Sequence, residues 1–186
     1  MTLVALVLAA GSATRFGGDK MSAPFRGAPL VHHAIRAALA APATKVIVVC
    51  PASLDLTGLP VEIVRLASPA MSASLQAGIA AAGAADGAFV FLGDMPLIPH
   101  DVAARLADAI EESFAAVPRH AGTNGHPVLL SARAFPAIAR LSGDEGAGRL
   151  LKQHDDVAFV EIGTDAILLD IDRAEDLARL DGYQSR

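Results

Sequence analysis

Cysteine is nearly absent from this 186-residue chain. Cys50 stands alone at the end of "KVIVVC", which excludes an internal disulfide and suits a small buried hydrophobe. Lysine is also scarce, three residues against twelve arginines. A lysine kept inside a glycine-rich loop, Lys20 in "GSATRFGGDK", therefore points to a need for a compact ammonium there. Long apolar runs are missing too. A bilayer-spanning helix needs roughly 18 uninterrupted apolar residues, and the best candidates are broken by His32, His33, Arg36 or Pro42. No Lys or Arg precedes the first apolar run, "TLVALVLA", which reads as a first buried strand rather than a secretory leader. The expectation is a soluble, cytoplasmic protein with no membrane partner. Positive charge is short as well: a net charge of −5 disfavours nucleic acid as a partner. A small anionic ligand held by a few focused cations remains compatible with it.

What is present is an apolar chain, 53% hydrophobic and 19% charged, of a length suited to one domain over residues 1–186. Apolar runs bounded by turn residues occur at "TLVALVLA", "KVIVVC", "VEIVRLA", "AFVFLG", "VAFVEIG" and "AILLDI". Runs without alternation predict strands covered on both faces. Helical stretches, "PLVHHAIRAALA", "MSASLQAGIAAA" and "HDVAARLADAIEES", lie between the early ones. The β-α-β rhythm predicts a three-layer α/β/α, Rossmann-like domain with a mostly parallel sheet and ligands beyond the carboxyl ends of its strands. In "AAVPRHAGTNGHPVLLS" the rhythm breaks, and Asn124-Gly125 predicts the turn of an antiparallel excursion, so the sheet is expected to be mixed.

The first strand runs into a phosphate-loop candidate. A P-loop would need G-x-x-x-x-G-K followed by Ser or Thr, but Asp19 separates Gly18 from Lys20 and Met21 follows. A dinucleotide fingerprint would need G-x-G-x-x-G, yet Ala13 and Phe16 occupy the second and third glycine positions. What remains is a longer loop with two cations, Arg15 and Lys20, able to wrap a triphosphate. Backbone N–H groups near Ala10 to Ser12 can bind phosphate oxygens while the cations offset the charge that develops in the reaction. Phosphate chemistry of this kind uses Mg²⁺ held by one or two carboxylates. Asp94 in "FVFLGDMP", just after a strand, is the first candidate. "AILLDIDRAEDL" puts Asp170 and Asp172 on one face of an extended chain, and Asp172 suits either a metal site with Asp94 or a helix cap. His126, before Pro127 in a turn, is read as shaping a pocket or bonding to backbone rather than as a catalyst, and no metal is assigned to histidine.

Taken in order, "LAAGSATRFGGDK", "MSASLQAG", "FLGDMP", "GHPVLL", "SGDEGAG" and "DIDRAEDL" resemble the molybdenum-cofactor nucleotidyltransferases over nearly the whole chain. The "LAAG" start, Leu8 to Gly11, is similar to the branch that transfers a cytidylyl group from CTP to molybdopterin; guanylyl-transferring relatives usually carry a Gly-Gly pair there. The resemblance implies that Ala9, Ala10, Gly11 and Ser12 contact the nucleotide, and Arg15 and Lys20 its triphosphate. It also implies Ser68 and Ser74 by the base and ribose, Asp94 and Asp172 on Mg²⁺, and "GHPVLL" with His126 and "SGDEGAG" with Asp144 on the pterin side. By the same resemblance Arg15, Lys20 and Asp94 would carry the catalysis, and a molybdenum hydroxylase would be the client. The chain departs from the family's usual pattern at Ala70, where a glycine is usual, and at Gly146-Ala147-Gly148-Arg149, where G-A-R is usual. Three other readings stand beside this one: transfer from GTP, transfer to a sugar or alcohol phosphate, and a nucleotide-binding maturation factor without turnover.

Overall fold

The computed structural model describes residues 1–11, 15–67 and 70–184, and the first apolar run lies near the middle of its sheet. Leu3–Leu8 form strand β1, buried at every position. Side chains alternate across a strand, so Leu3, Ala5 and Val7 enter one apolar cluster while Val4, Leu6 and Leu8 enter another. A strand covered on both faces has no polar face to show, which is why "LVALVL" does not alternate.

After β1 a short hairpin, β2 (Pro24–Phe25) and β3 (Ala28–Pro29), leads into α1 (Leu30–Leu39) and β4 (Val46–Cys50). Next come β5 (Glu62–Arg65), α2 (Met71–Ala82), β6 (Gly87–Leu92) and α3 (Val102–Ala109). The chain then forms β7 (Ala115–His120), β8 (Thr123–Asn124) and β9 (Val128–Ser131). It closes with α4 (Phe135–Ile138), α5 (Ala147–Leu151), β10 (Val157–Glu161) and α6 (Ala174–Asp181).

The main sheet has the order β10-β7-β9-β6-β1-β4-β5, with β8 paired to β7. Neighbours are parallel except around β9, which runs antiparallel to both β6 and β7, and in the β7–β8 hairpin. Helices α1 and α3 pack on one face and α2, α4 and α5 on the other, giving the expected three layers. From β1 the chain goes to β4 on one side and later to β6 on the other. The carboxyl ends of β1 and β6 therefore frame the switch point at which open α/β sheets bind ligands.

Three expectations need correction. "AILLDI" is not a strand: Asp165–Leu168 form a 3₁₀ turn, begun by Thr164, whose Oγ1 accepts from the Ala166 N–H at 3.1 Å. A short apolar run does not distinguish a strand from a buried helical turn by its periodicity. The hairpin turn is at Ala121–Gly122, both at positive φ (47° and 80°), and not at Asn124-Gly125. Gly125 serves a close approach instead, since a Cβ there would stand 2.5 Å from the Ile167 carbonyl oxygen. Finally, "VEIVRLA" and "VAFVEIG" are not covered on both faces, because β5 and β10 are the two edges of the sheet. The Arg119 guanidinium of β7 lies 3.7 Å from the ring centroid of exposed Phe159 on β10 and covers part of that ring.

Leu6, fully buried on β1, tests how firmly this frame is packed. Leu6→Ala is expected to lower unfolding stability by about 2–5 kcal/mol, measured by urea denaturation with an unchanged m-value.

Candidate active site

At the switch point the Gly93 N–H donates to the Leu8 carbonyl at 2.9 Å, so the segments leaving β1 and β6 start side by side. The β1 loop then returns. The Ala23 N–H donates to the Lys20 carbonyl and the Val31 N–H to the Met21 carbonyl, while Met21 is buried in the core. These anchors place Lys20 Nζ 2.7 Å from Asp94 Oδ2 and 3.9 Å from Asp172 Oδ1. Lys20 is only 8% exposed. A buried ammonium is tolerated only with charged partners, and Asp94 supplies the nearest.

The last two acids arrive on an extended stretch. Ile171 is fully buried in a small cluster with Phe25, Leu30 and Leu180, and its N–H donates to the Asp94 carbonyl at 3.0 Å. Neighbours of a buried residue in an extended chain point to the opposite side, and here they meet Asp94. One carboxylate oxygen from each of Asp94, Asp170 and Asp172 lies within 4.8 Å of the others. The cap at α6 is not Asp172 but Asp176, whose carboxylate accepts from the N–H groups of Asp172 and Arg173 at 3.0 and 2.9 Å. Asp176 therefore caps α6, and the Asp172 carboxylate accepts from exposed Arg15 at 3.2 Å. Asp170 joins the two expected acids, and its spacing of two from Asp172 is the signal for it in the sequence. Burial, then the negative charges of Asp172 and Asp94, push its carboxyl above the usual range, with Lys20 opposing.

Two clefts meet at these acids. The first, about 200 Å³, is lined by Leu8, Gly11, Lys20, Met71, Ser74, Asp94 and Asp172. The second, about 260 Å³, is lined by Leu92, Met95, Asn124, His126, Ile167 and Asp170 among others. Leu92 borders both. The His126 backbone N–H donates to the Ile167 carbonyl at 3.0 Å. Burial holds the His126 imidazole down to about 4, against the opposing pull of the Asp94 charge, so the ring is neutral at pH 7.

The other expected residues fall into place unevenly. Gly11 and Ser74 border the first cleft, and Ser74 Oγ donates to the Ala70 carbonyl at 3.2 Å. Ala9 is buried and its N–H donates to the Val49 carbonyl at 2.8 Å, which takes that amide out of any phosphate contact. Ala10 is buried beside it. Asp144 is exposed, on a loop whose Gly143 carbonyl accepts from Ser72 Oγ on α2 at 2.8 Å. Ser12 and Ser68 lie outside the described residues. Three carboxylates are a hard, all-oxygen donor set that fits a divalent cation of the Mg²⁺ or Mn²⁺ type. Among the described residues no helix is long and apolar enough to cross a membrane.

Known proteins resemble this chain in sequence and in fold. The model of the MobA-like NTP transferase domain matches residues 5–157. The purine catabolism protein PucB of Bacillus subtilis is 31% identical, over 96% of this chain and 90% of its own. The solved structure of Rv0371C from Mycobacterium tuberculosis H37Rv, a complex with manganese, has a TM-score of 0.82 at 26% identity and covers 97% of this chain and 98% of its own. A nucleotidyl transferase from Methanothermobacter thermautotroptrophicus shares the fold, with a TM-score of 0.84 at 22% identity over 97% of this chain and 96% of that one.

Two measurements follow from the charges. A histidine held below its ordinary value binds its proton in the unfolded chain first, so His126 costs stability as pH falls from about 6.5 toward 4. His126→Gln is expected to flatten that part of the stability profile, read by denaturation at a series of pH values. Lys20→Met removes the ammonium beside Asp94, and Mn²⁺ is expected to bind the nucleotide-free chain about tenfold more tightly, measured by electron paramagnetic resonance.

Proposed function

Because the chain belongs to the MobA-like NTP transferase family and is a nucleotidyltransferase, we propose that it transfers a cytidylyl group from CTP to the terminal phosphate of molybdopterin. The observation that carries the reading is the contact of Lys20 with Asp94, 2.7 Å apart in a cleft that opens where "LAAG" leaves β1. It brings a cation, a carboxylate and the candidate phosphate loop to one point. The preference for CTP rests on Leu8 to Gly11, and the acceptor on "GHPVLL" and "SGDEGAG" beside the second cleft and α2.

In this reaction a terminal phosphate oxygen of the acceptor attacks the α-phosphorus of CTP in line. The bond from the α-phosphorus to the oxygen bridging the β-phosphate breaks, and pyrophosphate leaves with the electron pair. The attacking phosphate is already ionised at neutral pH, so no general base is required. The protein's work is positioning and charge stabilisation. Lys20 and Arg15 face the triphosphate and stabilise charge on the α-phosphate and the departing pyrophosphate. Asp94 and Asp172 would hold Mg²⁺, which supplies Lewis acidity and a template when bound. Neutral His126 orients the acceptor through hydrogen bonds in the second cleft, without moving a proton.

The likeness to a purine catabolism protein favours a second reading, a maturation factor that binds a nucleotide and serves a client molybdenum hydroxylase without turnover. Pyrophosphate release separates the two. With Mg²⁺ and each of the four ribonucleoside triphosphates, release is expected from CTP and only when molybdopterin is present. Asp94→Asn is expected to lower kcat by about a hundredfold or more. A preference for GTP would move the chain to guanylyl transfer, and binding of CTP without release would favour the maturation role.

A further inference from the structure

The two clefts do not share the carboxylates equally. Asp94 and Asp172 line the first, together with Lys20, whereas Asp170 lines the second. Among the described residues around the second cleft there is no Lys or Arg, and the one carboxylate is that of Asp170. Leu92, Met95 and Ile167 give it apolar walls, and Thr123 and Asn124 give it a polar edge. Such a lining suits a flat heterocycle, oriented by a few polar groups. It does not suit a free phosphate. An anionic group entering from this side meets a carboxylate, while Lys20 stands in the first cleft, paired with Asp94. At separations of a few ångströms this repulsion is enough to weaken binding by about tenfold or more.

A divalent cation changes the sign of the encounter. One oxygen of Asp170 lies within 4.8 Å of oxygens from Asp94 and Asp172, so a cation among the three acids is near both clefts. We propose that Asp170 is a positioning and specificity-determining residue for the acceptor. Its carboxylate keeps a phosphorylated acceptor out of the second cleft until a cation, brought in with the nucleotide, lies among the acids. It then draws that cation toward the acceptor phosphate. Binding is thereby ordered, nucleotide and cation first, acceptor second. The inference rests on the reading above that the acceptor carries a phosphate and occupies the second cleft.

Calorimetric titration of the full chain with molybdopterin tests it, with and without Mg²⁺ plus a non-hydrolysable CTP analogue. Wild type is expected to bind at least about tenfold more tightly with the cation and nucleotide. Asp170→Asn is expected to bind with nearly equal affinity in both conditions. Asp170→Glu, which keeps the charge, is expected to restore the dependence. Equal affinity of wild type in both conditions overturns the proposal, as does an Asp170→Asn variant that keeps the wild-type dependence. If molybdopterin binds neither protein in either condition, the acceptor reading has failed. Inorganic phosphate, titrated in the same two conditions, then decides the role of Asp170 by the same criterion.

Discussion

The site is organised around a lysine ammonium that is almost out of reach of water. Lys20 is 8% exposed and its Nζ lies 2.7 Å from Asp94, a residue 74 positions away. An unpaired charge at that depth would be costly, so the loop after β1 and the turn after β6 have to arrive at the same place. The parallel register of β1 with β6 brings their ends level, Leu8 opposite Leu92. Met21 in the core, the β2–β3 hairpin and α1 then hold the returning chain. Much of the first third of the sequence serves to aim one side chain.

Around that pair the charges do not cancel. Three carboxylates are brought together where Lys20 and Arg15 are nearby cations, and burial first, then the charges of Asp172 and Asp94, raise the Asp170 carboxyl above its ordinary range. The arrangement is maintained by apolar and backbone contacts that carry no charge: Ile171 locked in its cluster, its N–H on the Asp94 carbonyl, and Asp176 capping α6 so that the Asp172 carboxylate stays free for Arg15. Excess negative charge held rigidly is a standing attraction for a cation. Asp170 and Asp172 lie beyond residues 5–157, which the family model matches, and the fold returns them to the switch point.

The clefts on either side of the acids differ in kind. One has Lys20 and the end of the "LAAG" segment; the other has apolar walls, an amide and a neutral imidazole. A charged donor and a flat, partly apolar acceptor would be recognised by different physics, and Leu92 is the shared wall between them.

Much of this was legible in the residues themselves. Apolar runs without alternation marked β1, β4 and β6, because strands covered on both faces have no polar side. Helical stretches between the early apolar runs marked α1, α2 and α3, and α2 occupies the expected "MSASLQAGIAAA". Lys20 and Asp94, which the structure brings together, drew notice because a scarce lysine stands in a glycine-rich loop and an acid follows a buried strand in the same chain. Tertiary structure alone decided the rest. Which strands are edges depends on sheet order, so β5 and β10 looked like interior strands. Whether "AILLDI" is a strand or a 3₁₀ turn depends on what it packs against, here the Gly125–His126 backbone. That Asp176 rather than Asp172 caps α6, and that Asp170 lies beside Asp94, were set by the path of the chain. Local pattern reports what a residue's own segment requires of it, while its partners across space are set by the path of the chain.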